Sequence, residues 1–181
     1  MVRVSGARHD AAAGYAALGW PVLPLHNMSG GRCSCGRDGC SSPGKHPRVA
    51  HGLKEATTDP AIIAGWWKRW PNANIGLRTG DAFDVLDLDG DEGIAALQAL
   101  VAEHGKLDPG PGVITGGGGA HLYFTPTGLG NRAGFLPHVD WRGAGGYVVA
   151  PPSDHHSGGT YEWETEPGGV PLLPPPQWLL E

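Results

Sequence analysis

The chain has 181 residues, 40% of them hydrophobic, with seven tryptophans and a formal net charge of −5. That length sets one compact domain as the expectation. The acidic balance speaks against a tight nucleic-acid grip by charge alone, and no apolar run approaches the roughly 18 residues of a membrane span.

The 31 glycines and 17 prolines signal many turns, but the tryptophans and alternating runs point to a folded α+β (α/β) domain rather than a disordered chain. The opening "MVRVSGARHDAAAGYAALGW" lacks the continuous apolar core of a signal peptide. Three cysteines, an odd number, fall within eight positions, so a disulfide framework is not expected and a reducing cytoplasm is.

In chain order, "HDAAAGYAALGW" predicts a first helix with Asp10 as N-cap and Gly19 as its stop. "PVLPL" predicts a short strand. Residues 27–50 show no periodicity and read as a loop module. "TTDPAIIAGWWKRWP" predicts a second helix, capped by Thr58 or Asp59, with Pro60 in its first turn and Pro71 at its end. "NIGLRTG" and "AFDVLDLDG" predict two strands around a turn at Gly80–Asp81. "DEGIAALQALVAEHG" is amphipathic, with Ile94, Leu97, Leu100 and Val101 on one face. The second half reads mostly as strands: "GVIT", a glycine run at 116–119, then "AHLYFT", "PHVDWRG", "GYVVAPP" and "TYEWE". The Pro-rich segment 166–181 closes in a short helix start, and either packs on the domain or begins a linker.

Alternation within strands gathers the chemistry. Residues i and i+2 of a strand point to one side, so Asp87 and Asp89 share a face, as do His121 and Tyr123, and as do His138, Asp140 and Arg142. Three Asp converging on one sheet repel one another without a counter-ion, and hard divalent cations such as Mg²⁺ take such oxygens while leaving room for substrate phosphates. Two such ions suit an in-line phosphoryl displacement. His121 and Arg142 are then candidates for the phosphates, and Gly118 and Gly119 for backbone N–H groups that approach them without a Cβ in the way. Taken singly, an Asp-x-Asp pair, a glycine run and a strand histidine are each commoner as ordinary structure; their combination carries the reading.

"CSCGRDGCSSPGKH" supplies Cys33, Cys35, Cys40 and His46 within fourteen residues, a Cys₃His set of the kind that holds structural zinc. His26 and His51 are alternatives for the fourth ligand. "GCSSPGKH" fits seven positions of a Walker A loop but ends in His46 where Ser or Thr must bind Mg²⁺, so it is not read as a P-loop. Lys45 and Arg48 are candidates for nucleic-acid contact. Asp154, His155 and His156 read as a polar loop ahead of a metal site.

The order "VLDLDG", "TGGGGAHLYF", "VDWRGAGGYVVAPPS" resembles the bifunctional DNA primase/polymerase (prim-pol) domain of plasmid, phage and mobile-element replication proteins, within the archaeo-eukaryotic primase superfamily. "CSSPGKHP" and "LKEATTDPAIIAGWWKRWPNANIGLRTG" look like its upstream region, so the likeness covers roughly residues 10 to 180. The resemblance implies an RRM-like catalytic sheet packed with helices plus an N-terminal α/β portion. It implies Asp87, Asp89 and Asp140 as ligands of two Mg²⁺ or Mn²⁺ ions, with His121 and Arg142 on the incoming nucleotide. DNA template and primer, NTP or dNTP substrates, a further helicase or helical domain, and a monomer are the expected partners and state. One departure stands out: the superfamily's second motif usually carries Ser two residues before the histidine, and this chain has Gly119. Two rival readings are a DxD-type sugar-nucleotide transferase, which leaves His121 and the Asp140–Arg142 pair unexplained, and a zinc-stabilised nucleic-acid-binding module without catalysis.

Overall fold

A computed structural model describes residues 6–108 and 110–180; the final residue of the proline-rich tail segment lies outside them. Its elements in order are α1 (Ala7–Ala17), β1 (Val22–Leu25), β2 (Met28–Ser29), β3 (Arg32–Cys33), a 3₁₀ turn (Gly52–Glu55), α2 (Pro60–Arg69), β4 (Asn74–Arg78) and β5 (Asp84–Leu88). There follow α3 (Gly90–His104), β6 (Gly112–Ile114), β7 (Ala120–Phe124), β8 (Arg132–Leu136), β9 (Val139–Arg142), β10 (Tyr147–Ala150), β11 (Ser153–Asp154), β12 (Thr160–Thr165) and α4 (Gln177–Leu180). The class is mixed helix and sheet, and every named strand pair is antiparallel. No helix among the described residues is long and apolar enough to cross a membrane.

The chain divides into two compact units, one built from the chain up to Arg78 plus Tyr147–Tyr161, the other from Thr79–Gly146 plus the segment beginning at Glu162. In the first, β4 lies between β1 and β10. Pro24 sits in β1, an edge strand, where its missing N–H costs no ladder bond. Helix α2 starts as its sequence dictates: Asp59 accepts hydrogen bonds from the N–H groups of Ala61 and Ile62, and Pro60 occupies the first turn. Helix α1 begins earlier than expected, with Gly6 at the N-cap, so Asp10 lies in its first turn instead of capping it. The unperiodic stretch 27–50 is not wholly loop, because β2 and β3 pair as a two-residue hairpin within it.

The second unit is a sheet ordered β12-β6-β7-β5-β9-β8. One face of its central strands carries Leu86, Leu88, Phe124, Val139 and Trp141, all buried, with Leu179 of α4 among them. Ile94, Leu97 and Leu100 of α3 pack on this layer, as the amphipathic pattern anticipates. Fully burying each such large side chain contributes about 1.5–3 kcal/mol. The alternation that buries Leu86 and Leu88 turns Val85 and Asp87 to the other side. The two strands expected around Gly80–Asp81 both form, but they do not pair: β4 joins the first unit's sheet and β5 the centre of the second's.

Candidate active site and metal centre

Register brings the polar side chains of the second unit into a row. Asp87 of β5 lies opposite His121 of β7 on one side and opposite Asp140 of β9 on the other. Directly opposed residues have Cβ atoms about 5 Å apart, so two carboxylates and an imidazole stand shoulder to shoulder. Arg142, two residues along β9 from Asp140, joins the row. Its Nη2 donates to Asp140 Oδ2 at 2.6 Å and to Asp87 Oδ2 at 3.1 Å, and its Nε donates to the same Asp87 oxygen at 3.2 Å. His121, 4% exposed, places Nε2 at 3.4 Å from Asp87 Oδ1. Burial alone would raise the Asp87 carboxyl, but His121 and then Arg142 outweigh it and hold it at about 2. The row therefore contains a carboxylate that stays ionised across the physiological range.

Asp140 has a second support that sequence reasoning missed. The backbone N–H of Gly134 donates to its Oδ1 at 2.6 Å. Gly134 has φ +63, and the β8–β9 pairing shifts register between Arg132 and Leu136. A glycine amid strand residues is the usual mark of such a bulge, and that was the signal available.

Asp89 lies just past the end of β5. It follows β5 as the N-cap position of α3, exposed, with an extended backbone of φ −84 and ψ 102, so alternation places it on the Asp87 side one step beyond the strand. His138 corrects the alternation argument. It lies before β9 with φ +61, outside the strand, and its Nδ1 faces Glu92 at 3.8 Å. Tyr123 shares the His121 face as expected, but it is buried between the rings of Phe83 and Trp163.

The glycine turn also needs correction. The N–H of Gly118 donates to Thr115 O and that of Gly119 to Thr115 Oγ1, so both groups are spent inside the turn and not offered to a phosphate. Gly119 is there for another reason. A Cβ at this position would lie 2.0 Å from the Leu88 carbonyl oxygen, at the end of the strand that carries Asp87. The departure from the family's serine thus coincides with a close backbone approach that leaves no room for any side chain.

In the first unit, single ligand atoms of Cys33, Cys35, Cys40 and His46 lie within 4.8 Å of one another, a group that can hold a metal ion. His46 Nε2 is 3.5 Å from the sulfurs of both Cys33 and Cys40. The other two histidines are engaged elsewhere: His26 Nδ1 meets Ser34 Oγ at 3.0 Å, and His51 Nδ1 meets Glu55 at 3.1 Å. Burial, then Arg37 and Arg48, lower the His46 pKa, which keeps its ring nitrogen available as a lone-pair donor. The backbone N–H of Arg37 favours the Cys35 thiolate; at Cys40 the Ser42 N–H acts likewise, but burial and the neighbouring thiols outweigh it and raise the group. Soft sulfur and imidazole donors in this number suit zinc.

Arg48 is occupied by the fold. Its guanidinium donates to Leu25 O, Asn27 Oδ1 and Ser34 Oγ, stitching the loop to β1. Lys45 is partly exposed, and its carbonyl accepts from the Tyr147 hydroxyl. A cleft of about 480 Å³ borders the cysteines and is lined by Arg32, Arg37, Asp38 and His156 among others. Residues 39–46 form turns with no strand running into them and no helix following, unlike a P-loop.

A comparison against protein families gives the class of the chain. The profile of the family described as bifunctional DNA primase/polymerase, N-terminal, matches residues 12–178, and the chain belongs to that family. Membership carries primase/polymerase-type nucleotidyl transfer as the general class of activity, with nucleic acid and nucleotides as the general class of substrates. A comparison with curated proteins finds no match to this chain.

Proposed function

We propose that the chain is a metal-dependent, template-directed nucleotidyltransferase that primes or extends DNA in the replication of a plasmid, phage or other mobile element. The observation that carries the chemistry is the cross-strand row His121–Asp87–Asp140 with Arg142 upon it. Its donors fit divalent cations: hard carboxylate oxygens on neighbouring strands, at least one of them ionised at any working pH. Asp87, Asp89 and Asp140 would hold two Mg²⁺ or Mn²⁺ ions. When bound, such ions neutralise the substrate phosphates and make an attacking 3′-hydroxyl more nucleophilic.

The chain's own residues do the positioning. His121 buttresses one oxygen of Asp87, and the Gly134 N–H fixes one oxygen of Asp140, so neither carboxylate swings freely. Arg142 brings a planar fork of donors matched to phosphate oxygens at the place where the incoming triphosphate would lie. Much of the catalysis would then come from orientation and charge preorganisation, with no dedicated protein base. Zinc at Cys33, Cys35, Cys40 and His46 would be structural, fixing a stretch that has little regular structure of its own. Template phosphates are assigned to Lys45 with Arg32 and Arg37, in place of the occupied Arg48.

Extension of a primed template with Mg²⁺ or Mn²⁺ and either nucleotide set tests the reading. Incorporation by the native chain that disappears in Asp87→Ala, with an unchanged circular-dichroism spectrum, supports it. Full activity in that variant rejects it.

A further inference from the structure

Each of the two opposed carboxylates divides its oxygens in the same way. One oxygen belongs to the scaffold, Asp87 Oδ1 facing His121 and Asp140 Oδ1 held by Gly134; the other, Oδ2 in both, belongs to Arg142. A single guanidinium thus bridges two strands and already offsets one of the two negative charges that a divalent cation would need. A cation bound to those Oδ2 atoms would share them with a fixed positive charge a few ångströms away, and like charges so close repel strongly where water is scarce.

We propose, resting on the metal assignment above, that Arg142 is the resident counter-ion of the row and competes with divalent cations for Asp87 Oδ2 and Asp140 Oδ2. A nucleoside triphosphate resolves the competition. Its phosphates offer the guanidinium an equivalent bidentate partner, which frees both Oδ2 atoms. Cation and nucleotide then bind cooperatively, and linkage requires each to tighten the other by the same factor. Arg142 is in this sense a coupling residue as well as a phosphate contact, and cations without nucleotide occupy the row only weakly.

Mn²⁺ binding followed by electron paramagnetic resonance, with and without a non-hydrolysable dNTP, tests this on the whole chain. The intrinsic Mn²⁺–nucleotide complex is common to every variant, so differences between variants isolate the protein's part. In the native chain nucleotide should tighten Mn²⁺ by about tenfold. Arg142→Gln should bind Mn²⁺ more tightly than the native chain without nucleotide, and nucleotide should add little. Arg142→Lys, which keeps the charge but not the fork, should fall between, and it carries the comparison if Arg142→Gln unfolds early in a thermal melt. Arg142→Gln binding Mn²⁺ no more tightly than the native chain, or keeping the full nucleotide enhancement, overturns the coupling. Asp87→Asn separates the two levels: if it leaves Mn²⁺ binding intact, the ion is not at the row and the metal assignment falls with the inference, whereas lost binding there beside an indifferent Arg142→Gln sinks the inference alone.

Discussion

The acid row and the cysteine cluster gather their functional side chains in opposite ways, and under the proposed function both would hold cations. The row rests on regular β register: neighbouring strands set the spacing, and His121, Gly134 and Arg142 already engage the carboxylates. The cluster rests on turns and one two-residue hairpin, with three thiols and an imidazole brought within 4.8 Å and little regular backbone between them. Hydrogen bonding compensates the first from within the protein. The second concentrates donors whose natural compensation is a bound ion. Losing a ligand should therefore abolish chemistry at the row while sparing the fold, and weaken the fold at the cluster.

The largest expected effect is at the row. Asp87→Ala and Asp140→Ala should each lower primer extension by at least about a hundredfold, with melting temperature shifted far less than activity. An Asp140 variant as unstable as it is inactive would erase the contrast. Next comes the cluster. Cys33→Ser, or removal of metal by a chelator, should lower the melting temperature by ~5 °C or more and cut zinc content measured by atomic absorption. An unchanged melt with zinc lost would show that the loop is ordered by hydrogen bonds such as those of Arg48 and not by metal.

Smaller, and less intuitive, is the effect of restoring the family's serine. Gly119→Ser introduces a Cβ 2.0 Å from the Leu88 carbonyl oxygen and 2.8 Å from the Gly90 nitrogen, both backbone atoms at the junction of β5 and α3. The backbone must move to accept it, at a cost of about 1–3 kcal/mol, and Asp89 sits in the segment that moves. Activity should fall, not rise. A gain in nucleotide affinity measured by calorimetry would mean that the missing hydroxyl matters more than the close approach.

How much of this was legible in the sequence follows the same division. Period-two alternation in "DVLDL", "AHLYF" and "VDWR" announced the row, because one face of each strand had to be apolar. It failed at His138, where a left-handed residue ends the alternation. It also missed β8, whose Gly134 and exposed residues lack an apolar face to read. Pairing was not legible: "NIGLRTG" and "AFDVLDLDG" are adjacent in the chain, yet their partners come from distant segments. The ligand types of the cluster were plain, but the choice of His46 over His26 and His51 depends on turn geometry. The occupation of Arg48 and of the Gly118 and Gly119 N–H groups is likewise invisible to residue counting.

The final prediction sets the two units against each other by pH. Burial, then Lys45 and His156, lower His155 in the first unit from 6.5 to about 4. The unfolded chain accepts that proton first as acid is added, so between those values it binds more protons than the native state. The stability contribution is fully present above about pH 6.5 and is lost progressively as pH falls toward 4. At the row the sense is the common one for a depressed carboxyl: Asp87 stays ionised down to about 2, so its contribution survives until pH passes below 4. Mild acid should therefore strain the first unit while leaving the row intact. Thermal melts at pH 7, 6, 5 and 4.5 on the native chain and on His155→Gln check this, since the substitution should flatten part of the decline. Parallel curves for the two proteins would remove His155 as a source of acid sensitivity.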